Sequence, residues 1–541
     1  TMKWWNDLWL NESFAEWAST IATAEATEWT EAWTTFQAME KTWAYRQDQL
    51  PSTHPISARI DDLEDVQVNF DGITYAKGGS VLKQLAAWVG VEAFFAGVAA
   101  YFRKHEWGNT ELADLLAELS ITSGRDLSGW SAQWLETSGV NTLRPELSVD
   151  ADGVITAFSV LQEAPAEHPH LRAHRLAIGF YDLQGEDDER RLVRTHRVEL
   201  DVDGERTDVA ELVGRARPAL ILINDDDLAY AKIRLDAASL EVAIAQLSRI
   251  EDPLARALVW GAAWDATRDA ETSASAYLSL VLGNIAAETE STTVRTTLNQ
   301  LLTVARLYVA PERRTETISI VGTALWELAK AAEAGSDRQF QFVKFFAAIA
   351  STSDHVAALR GLLSGAERLD GLDIDTDLRW ELLEGLVLCT AAGEAEIAAE
   401  LERDSTAKGQ QAAARLRAAL PSDEAKRAAF DAIANAETSG PSALSNEIQR
   451  SMTMGFQHVN DPAVLAGIVG PYFASLERVW TSRSHQLPEP ARVVAARRRH
   501  ARLARRQPRH SRVAPTGHRE PRRHRPGAAR AGTRPGVTRL G

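Results

Sequence analysis

The chain has 541 residues, 45% apolar and 25% charged, with a formal net charge of −16. That length exceeds a single hydrophobic core and implies roughly two to four domains, and the apolar fraction excludes general disorder. No run of about 18 apolar residues occurs, which excludes a membrane-spanning helix, and the one cysteine, Cys389, excludes a disulfide framework or a cysteine-built metal centre.

Residues 4–28, rich in Trp and Ala, read as a helix, and 40–49 continue helical until Pro51 and Pro55 break the pattern, with Ser52 and Thr53 as turn formers. Further helices are predicted over 75–89, 92–105, 110–123 and 130–137, and this helical domain ends near Gly139. The period then changes. Segments 147–149, 154–161, 174–181, 191–202, 207–212 and 219–223 alternate or form short apolar runs. Turn pairs such as Asp152-Gly153, Gly185-Glu186 and Asp203-Gly204 separate them, which predicts a small antiparallel β domain. From 236 to about 484 Ala, Leu and Glu dominate, with breaks near Pro253, Pro311, Gly335, Gly365, Gly393, Pro421, Pro441 and Pro462. Helices with such short joints predict antiparallel pairs stacked as a solenoid of degenerate repeats. The segment from Leu487 to Gly541 carries 16 Arg, no Lys and 2 Glu, a net of +14, so the rest carries −16 − 14 = −30. It has no Ile, Phe, Tyr or Trp and is expected to be disordered. One reading is an arginine-rich nucleic-acid arm. Arg without Lys, mixed with Ala, Pro, Gly and His, fits the out-of-frame end of a GC-rich gene better. The acidic body and the lack of interleaved aromatics also argue against nucleic-acid binding.

Five features invite chemistry. Helical spacing puts Trp5, Leu8, Trp9, Glu12 and Ala15 on one face, so the Glu12 carboxylate lies in an apolar stripe. It must be paired, protonated or metal-bound there, and on residue physics alone a Lys or Arg partner is the simplest answer. Tyr75 at a helix start reads as packing. Lys77-Gly78-Gly79 lacks the order of a phosphate loop and reads as a close helix contact. His170 and His174 have i, i+4 spacing but fall in the β region, where that spacing makes no shared face. Asp225-Asp226-Asp227 lacks the glycine and distal glutamate of a calcium loop and reads as a solvated turn.

The stretch Thr1-Met2-Lys3-Trp4-Trp5-Asn6-Asp7-Leu8-Trp9-Leu10-Asn11-Glu12-Ser13-Phe14-Ala15 resembles the aminopeptidase N family of zinc metallopeptidases, the gluzincins, with Ser13 where Gly is usual. Their motif is HExxH, eighteen residues, then Glu. The resemblance makes Glu12 the third ligand of one Zn2+ ion. Phe70-Asp71-Gly72-Ile73-Thr74-Tyr75-Ala76-Lys77-Gly78 is similar to the family's D-x-I-x-Y-x-K-G segment, which makes Tyr75 the hydroxyl that donates to the oxyanion of the tetrahedral intermediate. Thr53-His54-Pro55-Ile56, Trp107-Gly108-Asn109-Thr110 and Trp134-Leu135-Glu136-Thr137-Ser138-Gly139 support the match without a chemical role, and His54 reads as structural.

The resemblance implies a multidomain, mainly α protein. Its parts are a thermolysin-like catalytic portion over 1–142, a β-sandwich over 143–235, a HEAT-like helical domain over 236–486 and the basic tail 487–541. It implies an enzyme that releases N-terminal residues from peptides, in the cytoplasm, with peptides as partners and neither nucleic acid nor membrane. Thr1 matches the eighth position after the family's second zinc histidine, and none of the 13 His stands in an HExxH. The G-x-M-E-N segment, whose Glu binds the substrate's α-amino group, is also absent. The chain therefore reads as a fragment that should be inactive alone, with the face of residues 4–17 uncovered. The alternative is a non-catalytic helical scaffold that binds peptides or proteins.

Overall fold

The computed structural model describes residues 2–186, 189–435 and 444–482. The expected basic tail and Pro441 lie outside the described residues. The protein is mostly helical, with one β portion between two helical ones.

The first portion opens with the helix Trp9–Ala26, followed by a continuous helical run over 32–48 that includes the π-helical stretch Phe36–Lys41. A short helix missed by periodicity, Leu63–Val68, is capped by Asp62, whose side chain accepts from the N–H groups of Glu64 and Asp65. The π-helical turn Ile73–Lys77 runs directly into Gly78–Val89, and Gly90, at φ 89°, turns the chain into Val91–His105. Leu112–Ser123 and Ser128–Leu135 complete the portion. The face around Trp9 and Trp17 is not uncovered as expected. These residues are 2% and 3% exposed, and Trp17 packs edge-on against Phe94 at 4.9 Å. Trp4 is the exposed one.

Seven strands follow: β1 Thr142–Val149, β2 Ile155–Glu163, β3 His174–Gln184, β4 Arg191–Val202, β5 Arg206–Asp208, β6 Leu220–Asp225 and β7 Lys232–Ile233. They form a four-stranded sheet in the order β5-β2-β1-β7 and a three-stranded sheet in the order β4-β3-β6. All pairs are antiparallel except β1 with β7, which is parallel. β7 is two residues long, too short to leave a periodic signal. Leu143, Phe158 and Val160 from one sheet share a core with Ile178, Phe180 and Ile221 from the other. That core continues without a break into the following helices, through Leu258, Leu298 and Phe346.

Helix starts in the last portion are written in the sequence. Asp236, Asp252, Ser273, Ser336, Thr352, Asp375, Thr406, Ser422 and Ser445 each accept a backbone N–H at an N-cap. Consecutive helices pack on one another, as Arg314–Ala331 does on Asp337–Ile349. Among the described residues no single helix is long and apolar enough to cross a membrane.

The triple aspartate is not a solvated turn. Asp225 is fully buried and accepts from Tyr181 Oη and Arg194 at 2.8 Å each. Asp226 takes Arg194 and Arg197, and Asp227 takes Lys41 Nζ at 2.6 Å inside the protein. Asn224, Asp226 and Asp227 all have φ between 56° and 62°, a region Asn and Asp tolerate better than most residues. The turn thus locks the β portion onto the first helical portion. His174 is a core residue as well. Its Nε2 donates to Gln162 Oε1 at 3.0 Å and its ring meets the Trp134 ring edge-on, and burial, aided by Arg172 and Lys41, lowers its pKa to about 3, so it is neutral.

Candidate functional site

Glu12 lies in the first turn of Trp9–Ala26. The buried face of that helix is Trp9, Leu10, Ser13, Trp17 and Thr20, not the stripe through Ala15, which is exposed. Glu12 sits half-buried at the margin of this face. Its neighbour is neither Lys nor Arg but the Tyr75 hydroxyl, near enough for the Glu12 carboxylate to help hold the phenol proton. Partial burial first, then Glu12 and the charge of Glu16, push the phenol up to about 12. Tyr75 is therefore a protonated donor at any ordinary pH. The two residues singled out by sequence, 63 positions apart, are in contact.

The turn that presents Tyr75 is held from three sides. Asp71 Oδ1 accepts the N–H groups of Ile73 and Thr74 at 2.9 and 3.1 Å. Asp71 Oδ2 accepts from Gln47 and from His54 Nε2, the latter at 2.8 Å. His54 Nδ1 lies 2.7 Å from the Pro55 carbonyl oxygen, so both ring nitrogens face acceptors. Burial disfavours the imidazolium, but the bond and charge of Asp71 outweigh it and raise the His54 pKa. His54 is thus structural, as expected. Two residues beyond Tyr75, Lys77 Nζ pairs with Asp48 Oδ2 at 2.8 Å, both side chains wholly buried. Asp48 also accepts from Thr53 Oγ1, the Gly139 N–H and Tyr230 Oη. Burial lowers Lys77 to about 8.

The glycines after Lys77 serve a close helix contact, as their order suggested. Ser13 Oγ donates to the Thr74 carbonyl at 2.6 Å. A Cβ on Gly78 would stand 2.0 Å from that Oγ and 2.7 Å from Ser13 Cβ, atoms fixed on a neighbouring helix. Gly78→Ala is therefore expected to destabilise by about 1–3 kcal/mol by overpacking. Denaturant unfolding checks this, and adding Ser13→Gly should recover most of the loss, because it removes the atoms in the way.

One turn beyond Glu12 on the same helix, Glu16 lines a cavity of about 600 Å³ together with Glu28, Glu31, Glu40 and, from the last helical portion, Glu290. Trp29 and Phe36 supply apolar wall, and none of the lining residues is Lys, Arg or His. Burial raises the carboxyl pKa of Glu16, and burial plus the charge of Glu16 raises that of Glu40. Sequence reading missed this acidic chamber. The i, i+4 step from Glu12 to Glu16 was visible, but the other glutamates come from positions 12 to 274 residues beyond Glu16.

A catalytic zinc takes three protein ligands and keeps one position open. Among the described residues no group of three His, Cys, Asp or Glu is placed to hold a metal. The described residues thus hold no complete site for such an ion.

Residues 1–134 match the Peptidase family M1 domain, and residues 220–496 match the ERAP1-like C-terminal domain. Aminopeptidase N of Streptomyces lividans is 50% identical over 501 residues, which is 91% of this chain and 58% of that protein. The tricorn protease-interacting factor F2 of Thermoplasma volcanium is 37% identical over 153 residues, 28% of this chain and 19% of that protein. Leucyl aminopeptidase of Saccharolobus solfataricus is 37% identical over 148 residues, 27% and 19% respectively. The chain therefore spans little more than half the length of the first of these relatives.

Proposed function

The chain belongs to the aminopeptidase N family of M1 peptidases, and from that premise we propose that it carries part of the active site of a zinc aminopeptidase that releases N-terminal amino acids from peptides. The contact between Glu12 and Tyr75 carries this reading. Glu12 is the chain's one ligand to the ion, and zinc, when bound, supplies Lewis acidity and an activated water. Tyr75 keeps its proton and donates it in a hydrogen bond to the oxyanion that develops on the scissile carbonyl. Asp71, His54 and the Lys77–Asp48 pair hold that hydroxyl in place. The acidic chamber beside Glu12 favours a cationic group, such as the free ammonium of a peptide. The helical region from 236 onward is read as a HEAT-like stack and the first portion as thermolysin-like. A single thiol is in keeping with a reducing, cytoplasmic location.

The 541 residues contain no HExxH, so this chain alone should not turn over an aminoacyl amide, with or without added zinc. Joined to the part of the Streptomyces relative that it does not match, it should release N-terminal residues, and a chelator should abolish turnover. Chelator-sensitive turnover by the chain alone would overturn the division of ligands. Peptide binding by the joined protein without turnover would favour the scaffold reading.

A further inference from the structure

A second cavity, of about 410 Å³, shares no lining residue with the acidic chamber and none with the Glu12–Tyr75 pair. Its walls come from the run 32–48, the helix Pro253–Arg268 and the helix Ser291–Thr303. Asp265 lines it and is 5% exposed, yet its carboxylate forms no hydrogen bond or ion pair among the described residues. Gln37 lines it too, also 5% exposed, and its buried Oε1 has no hydrogen-bond partner among the described residues. Arg268, one turn beyond Asp265, lines the same space half-buried, and its guanidinium forms no hydrogen bond or ion pair among the described residues. Arg46 adds a second cation to the wall. Trp264 and Tyr308 stack at 6.0 Å and 10° to form an aromatic side.

An unfilled buried carboxylate is unfavourable, and so is a buried amide oxygen without a donor. Two acceptors and one free guanidinium around an aromatic wall are the complement of a small zwitterion. We infer that this cavity binds a free apolar α-amino acid, its ammonium between Asp265 and Gln37, its carboxylate at Arg268 and its side chain along Trp264 and Tyr308. The inference goes beyond the peptidase reading and does not rest on it, since it uses other residues and its test reads binding.

Titration calorimetry of the 541-residue chain with L-phenylalanine tests it. Saturable binding is expected, at least ten-fold weaker for N-acetyl-L-phenylalanine, which lacks the ammonium, and for L-phenylalanine methyl ester, which lacks the carboxylate. Asp265→Asn and Arg268→Gln should each weaken L-phenylalanine at least ten-fold, and Tyr75→Phe should leave it unchanged. Absence of binding, equal binding of the N-acetyl compound, indifference to both cavity variants, or loss in Tyr75→Phe would each overturn the assignment. Asp265→Asn should fold. Burial, with the charge of Asp269, holds the Asp265 carboxyl up at about 6 against the opposing charges of Lys232, Arg234 and Arg268, so its ionisation weakens the fold as pH rises from its ordinary 3.8 through that value. The variant should accordingly melt higher than the parent at pH 7.5 and close to it at pH 4, and Arg268→Gln, at a half-buried position, tests the site independently.

Discussion

Asp48→Ala is expected to remove about 3–5 kcal/mol of stability, measured by denaturant unfolding at pH 7, because it leaves Lys77 as an unpaired cation in a fully buried position. The substitution also strips the acceptor from Thr53, from the Gly139 N–H and from the Tyr230 hydroxyl. An isolated surface pair would give a fraction of this, about 0–1 kcal/mol. Burial would raise the Asp48 pKa, but Lys77, first by its charge, together with Thr53 and the Gly139 N–H, holds it below its ordinary 3.8. A carboxyl lowered in this way contributes stability that is present above its unfolded pKa and is lost as pH falls through its folded one. The parent should therefore lose stability more steeply than Asp48→Ala below about pH 4. Because Lys77 stands two residues from Tyr75, the variant should also loosen the turn that presents the hydroxyl.

In the joined, active protein, Tyr75→Phe should lower kcat about 10²–10³-fold with little change in KM, the loss that follows removal of one oxyanion donor. The ring is kept, so its contact with Phe70 at 6.4 Å persists and the fold should not suffer. Metal content should be unchanged, since Tyr75 stands beside Glu12 without replacing it. The phenol is pushed up to about 12, so the parent should show no loss of rate from its ionisation below about pH 10. An equal fall in Glu12 function would instead appear as loss of bound zinc, which separates the two residues in one preparation.

Helix positions were legible where the sequence punctuates them. Pro253 sits at the first helical position after Asp252, and Gly335 and Gly365 take left-handed conformations at the breaks where they were expected. Glu12 and Tyr75 were singled out through family motifs, and the close approach at Gly78–Gly79 was legible from the residues themselves. What was not legible depends on distant partners. Three consecutive aspartates look like solvent-facing residues in one dimension, and only Lys41, Arg194 and Arg197, between 29 and 186 residues away, make them interior. Lys77 could not be matched to Asp48 for the same reason. The stripe assigned to Glu12 was one position off because the helix begins at Trp9 rather than Trp4, which rotates the buried face toward Leu10, Ser13 and Trp17.

The junction residues set an order of events during synthesis. Lys41 waits for Asp227 and the Ala229 carbonyl, Tyr45 for the Ala231 carbonyl, and Asp48 for Gly139 and Tyr230. On a ribosome these partners arrive more than 90 residues later, so the segment bearing Glu12 and Tyr75 emerges with Lys41 lacking these acceptors and with Asp48 held by Lys77 and Thr53 alone. The apolar core of this portion is almost wholly its own, so it is these polar junctions that are completed only once the β strands have been made.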